Sequence, residues 1–428
     1  MDEHFIPCGL GELGVFYDYC SLYQHYPVER TTDQEACFRR ALQNMSMWFA
    51  HMATYVFLFN SDAATPSHEE RGWCSYERAM SRLCKDNSHA GDPYLLDLGF
   101  PAVLPYKVTE LGTDVPPRPG PPLAPEVFGE ILSKLNFTNN TDFTLVQQLY
   151  TSAIVELYAS TPFLDFDRCT WTDNDALALA ATLRACPCPC LTELSLQGNQ
   201  ITDAGVEALC LALHGGGNGS PCPRLTRLSL ASNQCGPAGV RALADMLCTG
   251  AVPHLAHLRL GRNQIGAEGA VSLATGLVES KTPLCALSLH NNALGAEGVR
   301  ALAAAFECLP TLDEVVLGHN SAGDEGALAL ADALRGRKLA RIDFRDNGLN
   351  PDAVAALSAA VEGVRLEDTP RAPAVRRSVS WDPETAGPDA PTLLPTRHAG
   401  QSALQAEIAA AVAEAAALTN SATMLTAK

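Results

Sequence analysis

A self-similar block in the second half of the chain restricts what it can fold into more than any other feature. Six stretches overlay without gaps: LTELSLQGNQITDAGV, LTRLSLASNQCGPAGV, LAHLRLGRNQIGAEGA, LCALSLHNNALGAEGV, LDEVVLGHNSAGDEGA and LARIDFRDNGLNPDAV. A degenerate earlier copy, FLDFDRCTWTDNDALALAATL, has Cys169 where the others have asparagine. The recurring asparagines are Asn199, Asn233, Asn263, Asn292, Asn320 and Asn347, at spacings of 34, 30, 29, 28 and 27 residues. A fixed period of this length means a stack of supersecondary units, because one such unit cannot bury its apolar face alone.

Each copy reads as a strand, a turn and a helix. The LxLxxN pattern alternates, so its leucines point inward from a short strand. The asparagine side chain satisfies backbone groups in a turn that has no ladder of its own. The glycine six residues later (Gly205, Gly239, Gly269, Gly298, Gly326) marks a helix that opens close to the neighbouring coil. Apolar residues at helical spacing follow, as in VRALADML.

This pattern resembles the leucine-rich repeat family, in the ribonuclease-inhibitor-like form with a full helix per repeat, over residues 163–364. The resemblance implies an α/β fold: a right-handed solenoid with parallel strands on the concave face and helices on the convex one. It also implies a surface that binds a protein partner rather than a catalytic site. The outward strand positions are mostly polar with an excess of positive charge: Glu193, Ser195, Gln197, Arg227, Ser229, His257, Arg259, Arg262, Ser288, His290, Glu314, His319, Arg341, Asp343 and Arg345. Of these, Arg227, His257, Arg259, Arg262, His290, Arg341 and Arg345 are the expected partner-binding residues.

Composition narrows the partners. The formal charge of −18 repels nucleic acid and anionic membrane surfaces. No apolar run reaches the roughly 20 residues that a membrane helix needs. No basic-then-apolar leader opens MDEHFIPCGL, and the 15 cysteines follow no disulfide framework. Reduced thiols in a cytoplasmic or nuclear setting are therefore expected, and the sequons at Asn44, Asn136 and Asn139 read as chance matches. The CPCPC run at 186–190 lacks a partner pair nearby, so it reads as a connection between repeats, with no metal expected. No cofactor is expected either, and no GxxxxGK[ST] phosphate loop occurs.

Residues 1–100 form a second region, rich in aromatics. GVFYDYCSLY (14–23) and TYVFLFN (54–60) read as strands, and residues 33–53 and 72–85 as helices, which implies a parallel sheet with crossover helices. The order YVFLFNSD…ERGWCSYE resembles part of a TIR domain, with Trp73, Cys74 and Glu77 in the matching positions. In NAD-cleaving members of that family the residue at the position of Glu77 is the catalytic acid, so Glu77 is the candidate for an enzymatic alternative. Two departures stand out: Gly72 replaces the usual serine, and the chain before Val15 is too short for the fold's first strand and helix. The block therefore reads as a partial domain.

Residues 101–126 are proline-dense and read as an extended spacer. Residues 127–162 read as helices that cap the first repeat. From 365 to 400 the composition turns to Pro, Ala, Arg and Ser, which predicts disorder, and RRSVSWDP stands within it. A basic pair, then Val379 and Trp381 on one side of an extended strand, resembles the RVxF docking motif of protein phosphatase 1 regulators. Arg376 and Arg377 would meet acidic rims, and Ser380 lies between the two apolar anchors. Residues 401–420 are alanine-rich with one weak helical face.

Overall fold

The computed structural model describes residues 31–43, 56–58, 70–83, 95–97, 120–137, 142–216, 219–280, 282–361 and 364–365. The expected strand at 14–23, the docking motif with Arg376, Arg377, Val379 and Trp381, and the helix at 401–420 lie outside the described residues.

Seven coils follow one another, each a three-residue strand and a helix, and an eighth strand closes the row. They are β3 (Phe163–Asp165) with α5 (Asp173–Ala185), β4 (Glu193–Ser195) with α6 (Asp203–His214), and β5 (Arg227–Ser229) with α7 (Pro237–Cys248). Then come β6 (His257–Arg259) with α8 (Gly266–Ser280), β7 (Ala286–Ser288) with α9 (Gly295–Phe306), and β8 (Glu314–Val316) with α10 (Gly323–Ala333). The row ends with β9 (Arg341–Asp343), α11 (Pro351–Ala360) and the short β10 (Val364–Arg365). These strands form one 8-stranded sheet in strict chain order, and every pair is parallel. Helical crossovers between parallel strands take the right-handed path.

The register stacks like on like. Leu194, Leu228, Leu258, Leu287, Val315 and Ile342 are consecutive partners at the strand centres. All are buried, as are Leu209, Leu243, Leu273, Leu302 and Leu330 from the helices behind them. Period two in the strand and 3.6 in the helix send both sets to one core.

The asparagines hold the coils together. The Asn263 side-chain amide donates to Leu230 O and to Leu260 O, both at 2.9 Å, and its Oδ1 accepts from Cys235 N at 3.0 Å. Asn233, Asn292, Asn320 and Asn347 repeat the pattern on their own and the preceding coil. Asn199 accepts from Trp171 N and donates to Phe166 O and Leu196 O. Cys169 occupies the same position in the first coil, where no earlier coil of this kind presents carbonyls to be bridged among the described residues. The glycine near each helix start permits close packing: a Cβ on Gly269 would stand 3.2 Å from Pro237 Cα, and one on Gly298 2.9 Å from Ala270 Cβ.

Two helices, α3 (Pro125–Leu132) and α4 (Asp142–Ser160), precede the first coil. α4 buries Val146, Tyr150, Ile154 and Tyr158, one residue per turn. Residues 120–124, which composition assigns to the spacer, instead belong to the folded body. Tyr150 donates to Leu123 O and Thr182 to Pro122 O, each at 2.8 Å. Fixed proline backbones there lower the cost of ordering an extended strip between two helices.

Toward the N-terminus, α1 (Thr32–Gln43) is followed by β1 (Val56–Leu58), α2 (Gly72–Leu83) and β2 (Leu95–Asp97). β1 and β2 pair in parallel with α2 between them in sequence, a strand–helix–strand unit.

Candidate functional site

The strand register arranges the concave face in rows. One row runs Phe163, Glu193, Arg227, His257, Ala286, Glu314, Arg341, and the next runs Asp165, Ser195, Ser229, Arg259, Ser288, Val316, Asp343. The expected binding residues on strands thus share one surface.

Their electrostatics are uneven. Arg227 pairs with Glu193 at 3.4 Å, and Arg341 pairs with Glu314 at 2.7 Å. Arg345 grips Asp343 through two nitrogens, Nε to Oδ1 and Nη2 to Oδ2, each at 2.9 Å. Burial works to raise the Asp343 carboxyl, but the Arg345 guanidinium and backbone N–H, with Arg341 beside them, hold it below its usual range. At the other end, Asp167 accepts from the Ser195 hydroxyl and from Gln197 N. The flanks are therefore internally compensated. Between them β6, β7 and the turns that follow present His257, Arg259, Arg262 and His290 and no carboxylate. Arg259 and Arg262 are exposed, with no ion pair among the described residues. Burial, then the Arg227 and Arg259 charges, push the His257 imidazole below its ordinary value. The His290 ring lies over Gly261, close enough to exclude a Cβ there, and its Nδ1 is 3.1 Å from the Ser288 hydroxyl.

Sequence alternation misplaces two residues. Arg262 and His319 do not stand on the strand rows; they occupy the turn beyond, in left-handed backbone at φ 58° and 60°. The residue before each ladder position shares this conformation, from Arg168 through Gly198, Ser232 and Asn291 to Asp346. Reversing the sign of φ takes the side chain off the strand's alternation. Arg262 therefore lies at the rim of the face, and His319 meets Asp346 of the next coil at 3.3 Å.

Glu77 sits on α2, half-buried. The residues around it are engaged in packing: Tyr76 and Met80 are fully buried in the core that continues into the repeats, and Trp73 packs against it. The Trp73 indole N–H donates to Asp142 Oδ2 at 3.0 Å, at the start of α4. Gly72 donates its N–H to Asn136 O at 3.0 Å, and the Phe137 ring fills the space a side chain at 72 would take. That contact explains why serine is absent there. The chain folds so that Trp73 anchors one helix to another.

The CPCPC cysteines have a packing role. Cys186 and Cys188 are fully buried. Cys188 shares a thiol–thiol hydrogen bond with Cys222, the same position one coil later, and this bond and burial raise its pKa strongly. Burial raises the Cys186 thiol to about 11 and, with Asp203 adding, that of Cys235 to about 12. These thiols are inert rather than nucleophilic.

One strand per coil in a single parallel sheet, backed by one helix per coil and tied by an asparagine ladder, defines a leucine-rich-repeat solenoid. A family model described as "Leucine Rich repeat" matches residues 188–210, 222–244 and 253–274. Among solved structures 67 chains match. They include an internalin from Listeria monocytogenes, 15% identical over 51% of this chain and 63% of that one, with a TM-score of 0.30. This chain thus spans less than two thirds of that protein's length. No curated protein matches by sequence.

Proposed function

We propose that the protein is a non-enzymatic scaffold that holds a protein partner on the concave face of its repeats. The observation that carries this is the division of that face into compensated flanks and a cationic centre with no carboxylate of its own, in a chain of net charge −18. Exposed arginines without an internal counter-ion keep their charge available to a partner of complementary potential. Free thiols at all 12 described cysteines support a reducing compartment, cytoplasmic or nuclear. The tail motif around Val379 and Trp381 supports a finer reading, in which the scaffold recruits the catalytic subunit of protein phosphatase 1 and the repeats choose what is brought to it. We do not assign NAD cleavage to Glu77, because its helix already has a packing task.

The test is a capture experiment with three forms of the whole chain: unaltered, Ala286→Glu/Ser288→Glu on the concave face, and Val379→Ala/Trp381→Ala in the tail. The scaffold reading expects a reproducible partner that the concave variant loses and the tail variant keeps. Phosphatase should show the reverse pattern. A partner set unchanged by the concave variant overturns the concave assignment, and phosphatase binding that survives the tail variant overturns the docking assignment.

A further inference from the structure

The last strand hands the chain on from the concave face itself. Arg365 of β10 pairs with Asp343, so the chain leaves the described residues in the second row of the sheet. Four strand spacings separate β10 from β6, or about 19 Å. Past Glu367 and Asp368, the sequence beyond carries its charge in two blocks. Arg371, Arg376 and Arg377 come first; Asp382, Glu384 and Asp389 follow, with no lysine or arginine from 378 to 396. The face changes in the same direction. β9 and β8 carry carboxylates that already have their arginines, Asp343 with Arg345 and Glu314 with Arg341. β7, β6 and the turns after them carry no carboxylate. There Arg259 and Arg262 are both exposed, and neither has an ion pair among the described residues.

We propose that residues 379–391 of this chain lie across β6 and β7 and occupy the cationic centre until a partner displaces them. The tail's basic block then lies over the compensated flank and its acidic block over the unpaired arginines. The reach fits. The 16 residues between Arg365 and Asp382 have, as a flexible chain, an r.m.s. span of about 20–25 Å. That matches the roughly 19 Å to be crossed, the condition in which a tether gives the highest effective concentration. Ala286 stands between His257 and Glu314 in the first row, a small side chain between long ones, and leaves a dip for the Trp381 ring. Exposed ion pairs are individually weak, so the contact depends on the tether and yields to a partner that brings further contacts. While the segment lies on the face, Val379 and Trp381 are not available to a phosphatase. A partner that fills the repeats therefore frees the tail motif. The inference rests on the concave-face reading and names what competes for that face.

The experiment uses the full chain with the photo-cross-linking residue p-benzoylphenylalanine in place of Ala286. A second form carries it in place of Leu211, which is exposed on α6. Dilute protein is illuminated and the products are mapped by mass spectrometry. Position 286 should cross-link within one chain to residues 378–391, and position 211 should not. Arg259→Glu/Arg262→Glu on the face should lower the yield about fivefold or more, because reversal turns weak attractions into repulsions. Asp382→Lys/Glu384→Lys/Asp389→Lys in the tail should do the same. Combining the two sets should restore the yield, which a misfolded variant does not do. Raising the salt to 1 M, where the Debye length falls to about 3 Å, should lower it in the unaltered chain.

No tail product from position 286, a yield indifferent to both charge reversals, or no rescue in the combined variant would overturn the proposal. So would a product of twice the chain's mass as the main species, which would make the occupant a second copy. If a captured partner is lost on Ala286→Glu/Ser288→Glu while no tail product forms, the scaffold stands and the tail contact fails. If the tail cross-links as expected while the captured set is indifferent to Ala286→Glu/Ser288→Glu, the tail contact stands and the concave partner fails.

Discussion

Each ladder asparagine links two coils through donors and an acceptor that are all buried, so a single atom change is felt across the interface. In Asn263→Ala, Leu230 O, Leu260 O and Cys235 N lose their partner together. The expected loss is about 2–4 kcal/mol, read as a lower urea midpoint with an unchanged slope. This role is legible in sequence, because a buried amide at fixed period has few other uses. The left-handed residue beside it is not legible, since arginine, serine, histidine and aspartate all occupy it and no side-chain pattern marks it. Arg262 should pay for that backbone, so Arg262→Gly should keep or raise the melting temperature while removing a rim cation. Asp343 extends the argument to pH. Its folded pKa is depressed, so its stabilising contribution is complete above the ordinary carboxylate range and is lost as pH falls through the folded value. The stability gap between the unaltered chain and Asp343→Asn should therefore be flat near neutrality and close only below about pH 4. Urea midpoints at a series of pH values check this; a gap that closes near neutrality contradicts it.

Among the elements, α2 shows how one pattern supports two readings. Trp73, Tyr76 and Met80 lie at helical spacing, which sequence alone connects equally to a sheet-facing helix of a TIR-like unit and to any other helix–helix contact. What separates these is Asp142, 69 residues away, and no local pattern connects it to Trp73. Two substitutions divide the contributions. Trp73→Phe keeps most of the apolar contact and removes only the N–H donor, so it should cost about 1 kcal/mol. Tyr76→Ala empties a fully buried position and should cost about 3–5 kcal/mol. Equal effects would mean that the polar contact, not burial, fixes the helix. At the other end of the array, the Arg337 guanidinium donates to Phe306 O, Leu309 O and Leu312 O, gathering carbonyls at and beyond the end of α9. One arginine in a basic loop gives no sequence sign of this, because its acceptors are backbone atoms.

At the scale of the whole molecule, the two ends of the solenoid are built differently, and this decides where it should open first. A stack is stabilised by nearest-neighbour contacts, so a coil with two neighbours outlasts one with a single neighbour. The first coil has a second neighbour in α3 and α4: Phe128, Tyr150, Ile154 and Tyr158 are buried in a core continuous with Leu179 and Leu183 of α5. Two tyrosines and a phenylalanine also bring a larger apolar area per residue than the alanines of the repeats. The last helix, α11, buries Ala353, Leu357 and Ala360 and leaves Ala355, Ser358 and Ala359 exposed. Small residues on one side, and no further helix packed on the other among the described residues, make it the weakest described helix of the array. Hydrogen exchange on the intact chain should therefore show amide protection highest across α7 to α9, nearly as high in α5, and lowest in α11. The sequence reads residues 127–162 as helices that cap the first repeat. The polarity of the stability gradient was not legible, because it depends on how much area each terminal helix buries against its neighbour. A gradient running the other way, with α5 exchanging before α11, would show that the aromatic cap does not hold the first coil. In that event Tyr150→Ala should leave the exchange of α5 unchanged, whereas a working cap predicts that this one substitution speeds exchange in α5 and leaves α9 untouched.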